Sequence, residues 1–240
     1  MKQFALRLDC YIREAWRISR QWPVDQSFAR MLSFFPSWNR SLSLTPTEMR
    51  IPWISYPAIK MLEKILKPEM RVFEWGVGGS TLFFSARVRQ LVSIEHDLQW
   101  AEKIRTAMEL NNLAWELFVV PPGPSENRRV GDPGNPEFYA SALEACIGLS
   151  FHAYATVIDR FPDNFFNLIL IDGRSRISCA FHGISKIKRG GYLLLDDAER
   201  PRYAWIHREM QRVGWKTFNL IGPAPCEWNF RQTGCWQRPP

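Results

Sequence analysis

The sequence predicts an α/β fold: a mostly parallel seven-stranded sheet with helices on both faces and a helical N-terminal extension. Three observations predict it. Strand-like runs alternate with helix-period stripes from residue 55 onward. The runs are apolar nearly throughout, as in LILI at 168–171, which fits strands covered on both faces. Two last strand-like runs, at 216–221 and 233–237, are joined through Gly222, Pro223 and Pro225 with no helix between them, so they close the sheet as a pair.

The extension comprises residues 1–50. Phe4, Leu8, Tyr11, Ala15 and Ile18 recur at three- and four-residue steps and form one face of a helix. Asp25 suits the cap of a second short helix through Phe28, Met31 and Leu32. Residues 41–52 hold Ser, Thr and Pro and read as a connector, which makes the extension a cap or lid on the main domain.

The main domain covers residues 51–240. Ser55 caps a helix with Pro57 in its first turn, and Ala58, Met61, Leu62 and Ile65 form its stripe. Strands follow at 71–75, 90–95 and 115–120, with helices at 80–88 and 98–110. The Pro- and Gly-rich stretch 121–136 is a long loop, which in a compact domain is functional or disordered. Helices are expected at 137–146 and 151–160, a strand at 167–172 and a helix at 175–187. Gly190 and Gly191 turn the chain into a strand at 192–195, and a helix at 201–213 precedes the terminal pair.

Composition narrows the function classes. The 240 residues are 46% hydrophobic and 23% charged, the balance of a globular protein rather than a disordered one. No apolar run approaches the ~18 residues of a spanning helix, and the first twenty residues lack the pattern of a secretory signal, so a cytoplasmic location is expected. Five scattered cysteines without a C-x-x-C pair argue against a zinc site or disulfide framework. The net charge of +7 is dispersed, which disfavours a nucleic-acid partner.

In such sheets ligands sit beyond the carboxyl ends of the strands. The sharpest local signal there is FEWGVGGST at 73–81, where a strand ends in an acid and a glycine turn opens a helix. A dinucleotide fingerprint would place glycine where Thr81 stands, and Glu74 would repel a pyrophosphate. Glu74 suits instead a cationic amino-acid group. Glu95 ends the next strand, nineteen residues after Gly76, where a carboxylate can accept hydrogen bonds from ribose hydroxyls. The ligand that fits is an adenosine bearing an amino acid and no phosphate.

Together the runs PWISY at 52–56, VFEWGVGGST at 72–81, SIEHD at 93–97, LIDGRSR at 170–176 and GGYLLLDDAER at 190–200 resemble the class I S-adenosylmethionine-dependent methyltransferases, over roughly residues 51–238. The branch resembled is an uncharacterised bacterial one. The resemblance implies a Rossmann-like sheet, S-adenosyl-L-methionine as cofactor, and O-methylation of a small-molecule or saccharide acceptor. It implies that Glu74, Gly76, Gly78, Gly79 and Ser80 line the methionine side of the cofactor, Glu95 the ribose, and His96 the adenosine, with Asp172 near the sulfonium. Pro121 and Pro122 would lie by the adenine edge.

Methyl transfer needs alignment of the acceptor and, for a hydroxyl, removal of its proton. Asp172 and Asp196 are the candidate catalytic acids. Their spacing with Asp197 is similar to that of the catechol-type O-methyltransferases, which implies Mg2+ or another divalent cation held by Asp172, Asp196 and Asp197. The alternative is that these acids act without a metal or cap turns. Arg174, Arg176, Arg200 and Arg202 flank them, to bind an anionic acceptor or to pair with the acids. Two rival functions remain open on sequence: a nucleotide-cofactor oxidoreductase and a non-catalytic binding module of the same fold.

Overall fold

The computed structural model describes residues 2–21, 27–111, 113–125 and 131–240. The extension forms α1 (Lys2–Gln21), α2 (Phe28–Ser33), α3 (Phe35–Ser41) and α4 (Pro46–Met49). The proposed cap Asp25 lies outside the described residues; Ser27 caps α2, its side chain accepting from the Arg30 N–H. The stretch expected as a connector contains α4. Its signature is a capping box in which Thr45 and Glu48 satisfy each other's backbone N–H groups, legible as T-x-x-E once Pro46 is read as its first helical residue.

The main domain runs α5 (Tyr56–Ile65), β1 (Arg71–Trp75), α6 (Gly79–Ser85), β2 (Gln90–Glu95), α7 (Leu98–Leu110), β3 (Glu116–Val119), β4 (Gly123–Pro124), β5 (Leu149–Ser150), α8 (His152–Thr156), β6 (Phe166–Ile171), α9 (Arg176–Gly183), β7 (Ile187–Leu195), α10 (Ala204–Arg212), β8 (Lys216–Pro223) and β9 (Phe230–Gln237). The expected helix at 137–146 is instead two single 3-10 turns, Pro136–Phe138 and Glu144–Cys146. Tyr139 between them takes a left-handed φ of 50°, which ends the first turn at once. Of the long loop expected at 121–136, residues 126–130 lie outside the described residues.

The large sheet has the order β3-β2-β1-β6-β7-β9-β8. Every neighbouring pair from β3 to β7 is parallel, and β9 runs antiparallel to both β7 and β8. The order reverses between β1 and β6, and the carboxyl ends of strands at such a switch point are where open α/β sheets bind ligands. Strand alternation sorts the core into two layers. Phe73, Trp75, Ile169, Ile171, Leu193 and Leu195 face α8, α9 and α10 through Tyr154, Ile177, Ala180, Ile206 and Met210. Val72, Leu91, Leu168, Leu170 and Leu194 face the other way, onto α5 and α6.

The extension belongs to that second layer. Tyr11, Ala15, Ile18, Met31, Phe34 and Trp38 share one buried cluster with Ile59, Leu62, Leu220 and Phe230. The Trp38 indole N–H donates to the Glu227 carbonyl at 2.6 Å, and the Cys226 N–H donates to Ser41 Oγ at 3.0 Å. Both anchor points lie in the β8–β9 connection, at the carboxyl end of β7, so α3 borders the ligand end of the sheet.

Candidate active site

The glycine turn after β1 has three differently built positions. Gly76 has a φ of +92°, which a side chain would strain. A Cβ at Gly78 would meet nothing within 4 Å, so the turn is open there to an approaching ligand. A Cβ at Gly79 would fall 2.1 Å from the Ile51 carbonyl and 2.4 Å from that of Pro46. Gly79 thus serves as the seat of the α4 segment. Gly79→Ala is expected to push α4 off the turn and cost roughly 1–3 kcal/mol, as overpacking against backbone does; a lowered Tm by thermal denaturation checks it.

Glu74 is fully buried beneath this turn. Its Oε1 accepts from Thr81 Oγ1 at 2.6 Å and Ser93 Oγ at 2.7 Å, while Oε2 has no hydrogen-bond partner among the described residues. Burial pushes the carboxyl up to about 7, against the hydroxyls of Thr81, Ser80 and Ser93, which favour its ionised form. Ser80 is buried in the first turn of α6, next to the turn's Gly79.

Glu95, at the end of β2, is 4% exposed. It accepts the N–H groups of Val77 at 3.1 Å, His96 at 2.7 Å and Asp97 at 2.9 Å. Burial acts to raise it, but hydrogen bonding by His96, Asp97 and Val77 outweighs that and holds the carboxyl below its ordinary range. Glu95 is therefore an ionised acceptor that ties the glycine turn to β2. The His96 ring is mostly buried beside Phe151 and Tyr154, with Nδ1 2.6 Å from Glu95 Oε1 but angled away from a hydrogen bond.

Asp172 joins the two halves of the site. Its main chain packs on Gly76, where a Cβ would lie 3.1 Å from the Asp172 carbonyl carbon. Its side chain is 24% exposed and accepts from Arg176 Nη2 at 2.9 Å. Burial pushes its pKa up to about 6, opposed by Arg176 and reinforced by Asp197. Asp196 is 4% exposed, takes a 3.3 Å hydrogen bond from Thr233 Oγ1, and has a pKa raised well above the usual range by burial and by Asp172.

The three acids do not form the cation site expected of them. Asp197, 3% exposed, is surrounded by guanidinium groups: Arg200 at 2.7 Å, Arg176 at 3.4 Å, and Arg231. Arg176 also donates to the Asp196 carbonyl at 2.5 Å. Guanidinium groups thus occupy the sides of Asp172 and Asp197 that a divalent ion would need, Thr233 bonds Asp196, and no group of three or more His, Cys, Asp or Glu among the described residues is arranged to hold a metal. Arg231 escapes sequence reasoning, because only the antiparallel return of β9 brings it beside β7. Ser175 and Asp197, in the turns that follow β6 and β7, have left-handed φ values of 46° and 56°. Such strain gathers at functional sites.

A cavity of about 160 Å³ opens beyond β6 and β7, between residues 133–143 and the arginines that follow the strands.

No family model and no curated protein matches the sequence. Among solved structures, a methyltransferase-like protein of Silicibacter pomeroyi is 21% identical over 77% of this chain and 86% of its own, with a TM-score of 0.52. An rRNA methylase of Streptococcus thermophilus aligns over 79% of this chain and all of its own at 12% identity and a TM-score of 0.51. A Corynebacterium glutamicum protein aligns over 85% and 90% of the two chains at 9% identity and 0.53. At these identities the likeness is one of fold, in this chain a parallel core closed by an antiparallel β9 set between β7 and β8. This chain has the fold of the class I methyltransferases.

Proposed function

We propose that the chain transfers the methyl group of S-adenosyl-L-methionine to an oxygen of a small-molecule or saccharide acceptor. One observation carries the reading: a buried carboxylate, Glu74, keeps an unpartnered oxygen beneath a glycine turn that is open at Gly78. A buried acceptor without a donor costs free energy until a ligand supplies one. The ammonium of an amino acid supplies it, and a pyrophosphate does not. Glu95 has accepted three backbone N–H groups and retains acceptor capacity toward a ribose hydroxyl. Gly76, Gly78 and Ser80 would line the methionine portion and His96 the adenosine.

The cofactor supplies an electrophilic sulfonium methyl. Glu74 would hold its ammonium and Glu95 its ribose. Asp172 takes the proton that the acceptor hydroxyl loses as its oxygen accepts the methyl group and the sulfur–methyl bond breaks, with the thioether S-adenosylhomocysteine as leaving group, and passes the proton to solvent. A base near pH 6 is matched to that task. Asp196 and Asp197 position Arg176, which in turn orients Asp172. The loop at 133–143 and the α3 rim border the acceptor.

Calorimetric titration tests the reading: S-adenosylhomocysteine is expected to bind and NAD(H) is not. Tight binding of NAD(H) alone would establish the oxidoreductase instead. The base assignment predicts a rate that rises with pH through about 6 as Asp172 ionises. Asp172→Asn removes that base, and a loss of about 10²–10⁴-fold in kcat is expected. An unchanged pH–rate profile in Asp172→Asn would remove Asp172 from proton transfer.

A further inference from the structure

We propose that the cavity beyond β6 and β7 is an oxyanion subsite, through which Arg174 and Arg202 hold a carboxylate or phosphate group carried by the methyl acceptor. The inference rests on the transferase reading and names its substrate class. Four of the residues lining the cavity are arginines, Arg174, Arg176, Arg200 and Arg202, and none is acidic. The four are not equivalent. Arg176 is tied to Asp172 and Asp197, and Arg200 to Asp197. Neither Arg174 nor Arg202 pairs with a carboxylate among the described residues, and the Arg174 Nε is buried without a hydrogen-bond partner. Ser141 and Ser175 add hydroxyls to the wall.

A concave wall of one charge sign focuses its field and attracts the opposite charge. The planar guanidinium fork matches the spacing of carboxylate and phosphate oxygens. Arg176 and Arg200 are already paired with the acids, so the guanidinium groups left uncommitted in the cavity are those of Arg174 and Arg202. Its volume is about 160 Å³. With two uncommitted guanidinium groups it suits one oxyanion better than a run of phosphates, so an RNA acceptor is the less favoured occupant. The cavity starts at Gly173, next in the chain to Asp172. An acceptor anchored there presents its hydroxyl beside the base.

The test is titration of the intact protein with inorganic phosphate and, separately, with benzoate, each followed by chemical-shift changes. Parent protein is compared with the double variant Arg174→Gln, Arg202→Gln, and S-adenosylhomocysteine is titrated into both. The parent is expected to bind at least one anion at millimolar concentration, and the variant at least tenfold more weakly. Binding of phosphate alone identifies a phosphoryl acceptor, and binding of benzoate alone a carboxylate. Equal anion affinity in parent and variant, or none in either, overturns the subsite. A single-stranded oligonucleotide that binds through the two arginines while both small anions do not overturns it in favour of a nucleic acid. Unchanged S-adenosylhomocysteine affinity in the variant separates the subsite from the cofactor site. Failure of S-adenosylhomocysteine to bind the parent refutes the transferase reading, while the anion titration still decides the subsite.

Discussion

Arg176→Met is expected to destabilise the protein by about 3–5 kcal/mol, the usual cost of leaving buried charges without their partner. Arg176 is 12% exposed in its side chain and lies within 4.0 Å of all three acids, Asp172, Asp196 and Asp197. Methionine fills much of the same volume but donates no hydrogen bond. For a chain of this length the Tm should fall by roughly 10 °C, at about 2–4 °C per kcal/mol. The loss should depend on pH in a definite direction. Asp172 and Asp196 already have raised pKa values, and removing Arg176 raises them further. Their ionised forms are what the variant cannot tolerate. The deficit is therefore largest above pH 6 and shrinks as the acids protonate on acidification. Thermal melts of parent and variant from pH 5 to 8 measure it. A deficit independent of pH would mean that packing, not charge, is the contribution of Arg176.

Glu74→Gln should weaken S-adenosylhomocysteine binding about 10- to 100-fold, the worth of a charge-assisted hydrogen bond of ~1.5–3 kcal/mol. The glutamine keeps the shape and still accepts from Thr81 and Ser93, but it carries no charge toward an ammonium. Because burial sets the free carboxyl near 7, binding a cation must expel a proton below that pH. Affinity of the parent should fall up to about tenfold per pH unit on acidification through 7, while that of the variant stays flat. Folding should move the other way. An acid whose folded pKa is raised contributes stability at low pH that is lost as pH rises through 7. Without ligand at pH 8, Glu74→Gln should thus be at least as stable as the parent. A variant that melts earlier at pH 8 and binds as well as the parent would show Glu74 to be a structural cap.

Much of this arrangement was legible in the chain itself. The apolar strand runs, Pro57 in the first turn of α5, the glycine turn with Glu74, and the two last strands without a helix between them all reflect local physics. Each is a period, a helix start or a turn whose energy is set by neighbours in sequence, whereas the hydroxyl of Ser55 leaves the helix end uncapped and donates to the distant Leu220 carbonyl at 2.6 Å. They were enough to give the parallel sheet, its antiparallel closure and the strand ends at which a ligand would sit. Local signals failed where backbone conformation is set by packing. The helix expected at 137–146 gives way at Tyr139, whose hydroxyl sits 3.2 Å from the His182 ring across the fold.

The long-range electrostatics belong to the tertiary structure alone. Asp172, Asp196 and Asp197 have the same spacing whether they hold a cation or an arginine. Only the return of β9, which brings Arg231 to Asp197, and the turn of α9, which aims Arg176 at all three acids, decided for the arginines. In the same way Gly79 looks in sequence like part of a ligand loop, but the approach of Pro46 and Ile51 makes it a packing seat. Sequence determines which groups are charged and which positions lack a side chain. Their partners come from segments far away in the chain, and a pairing energy exists only once folding has brought both groups out of water and within a few ångströms.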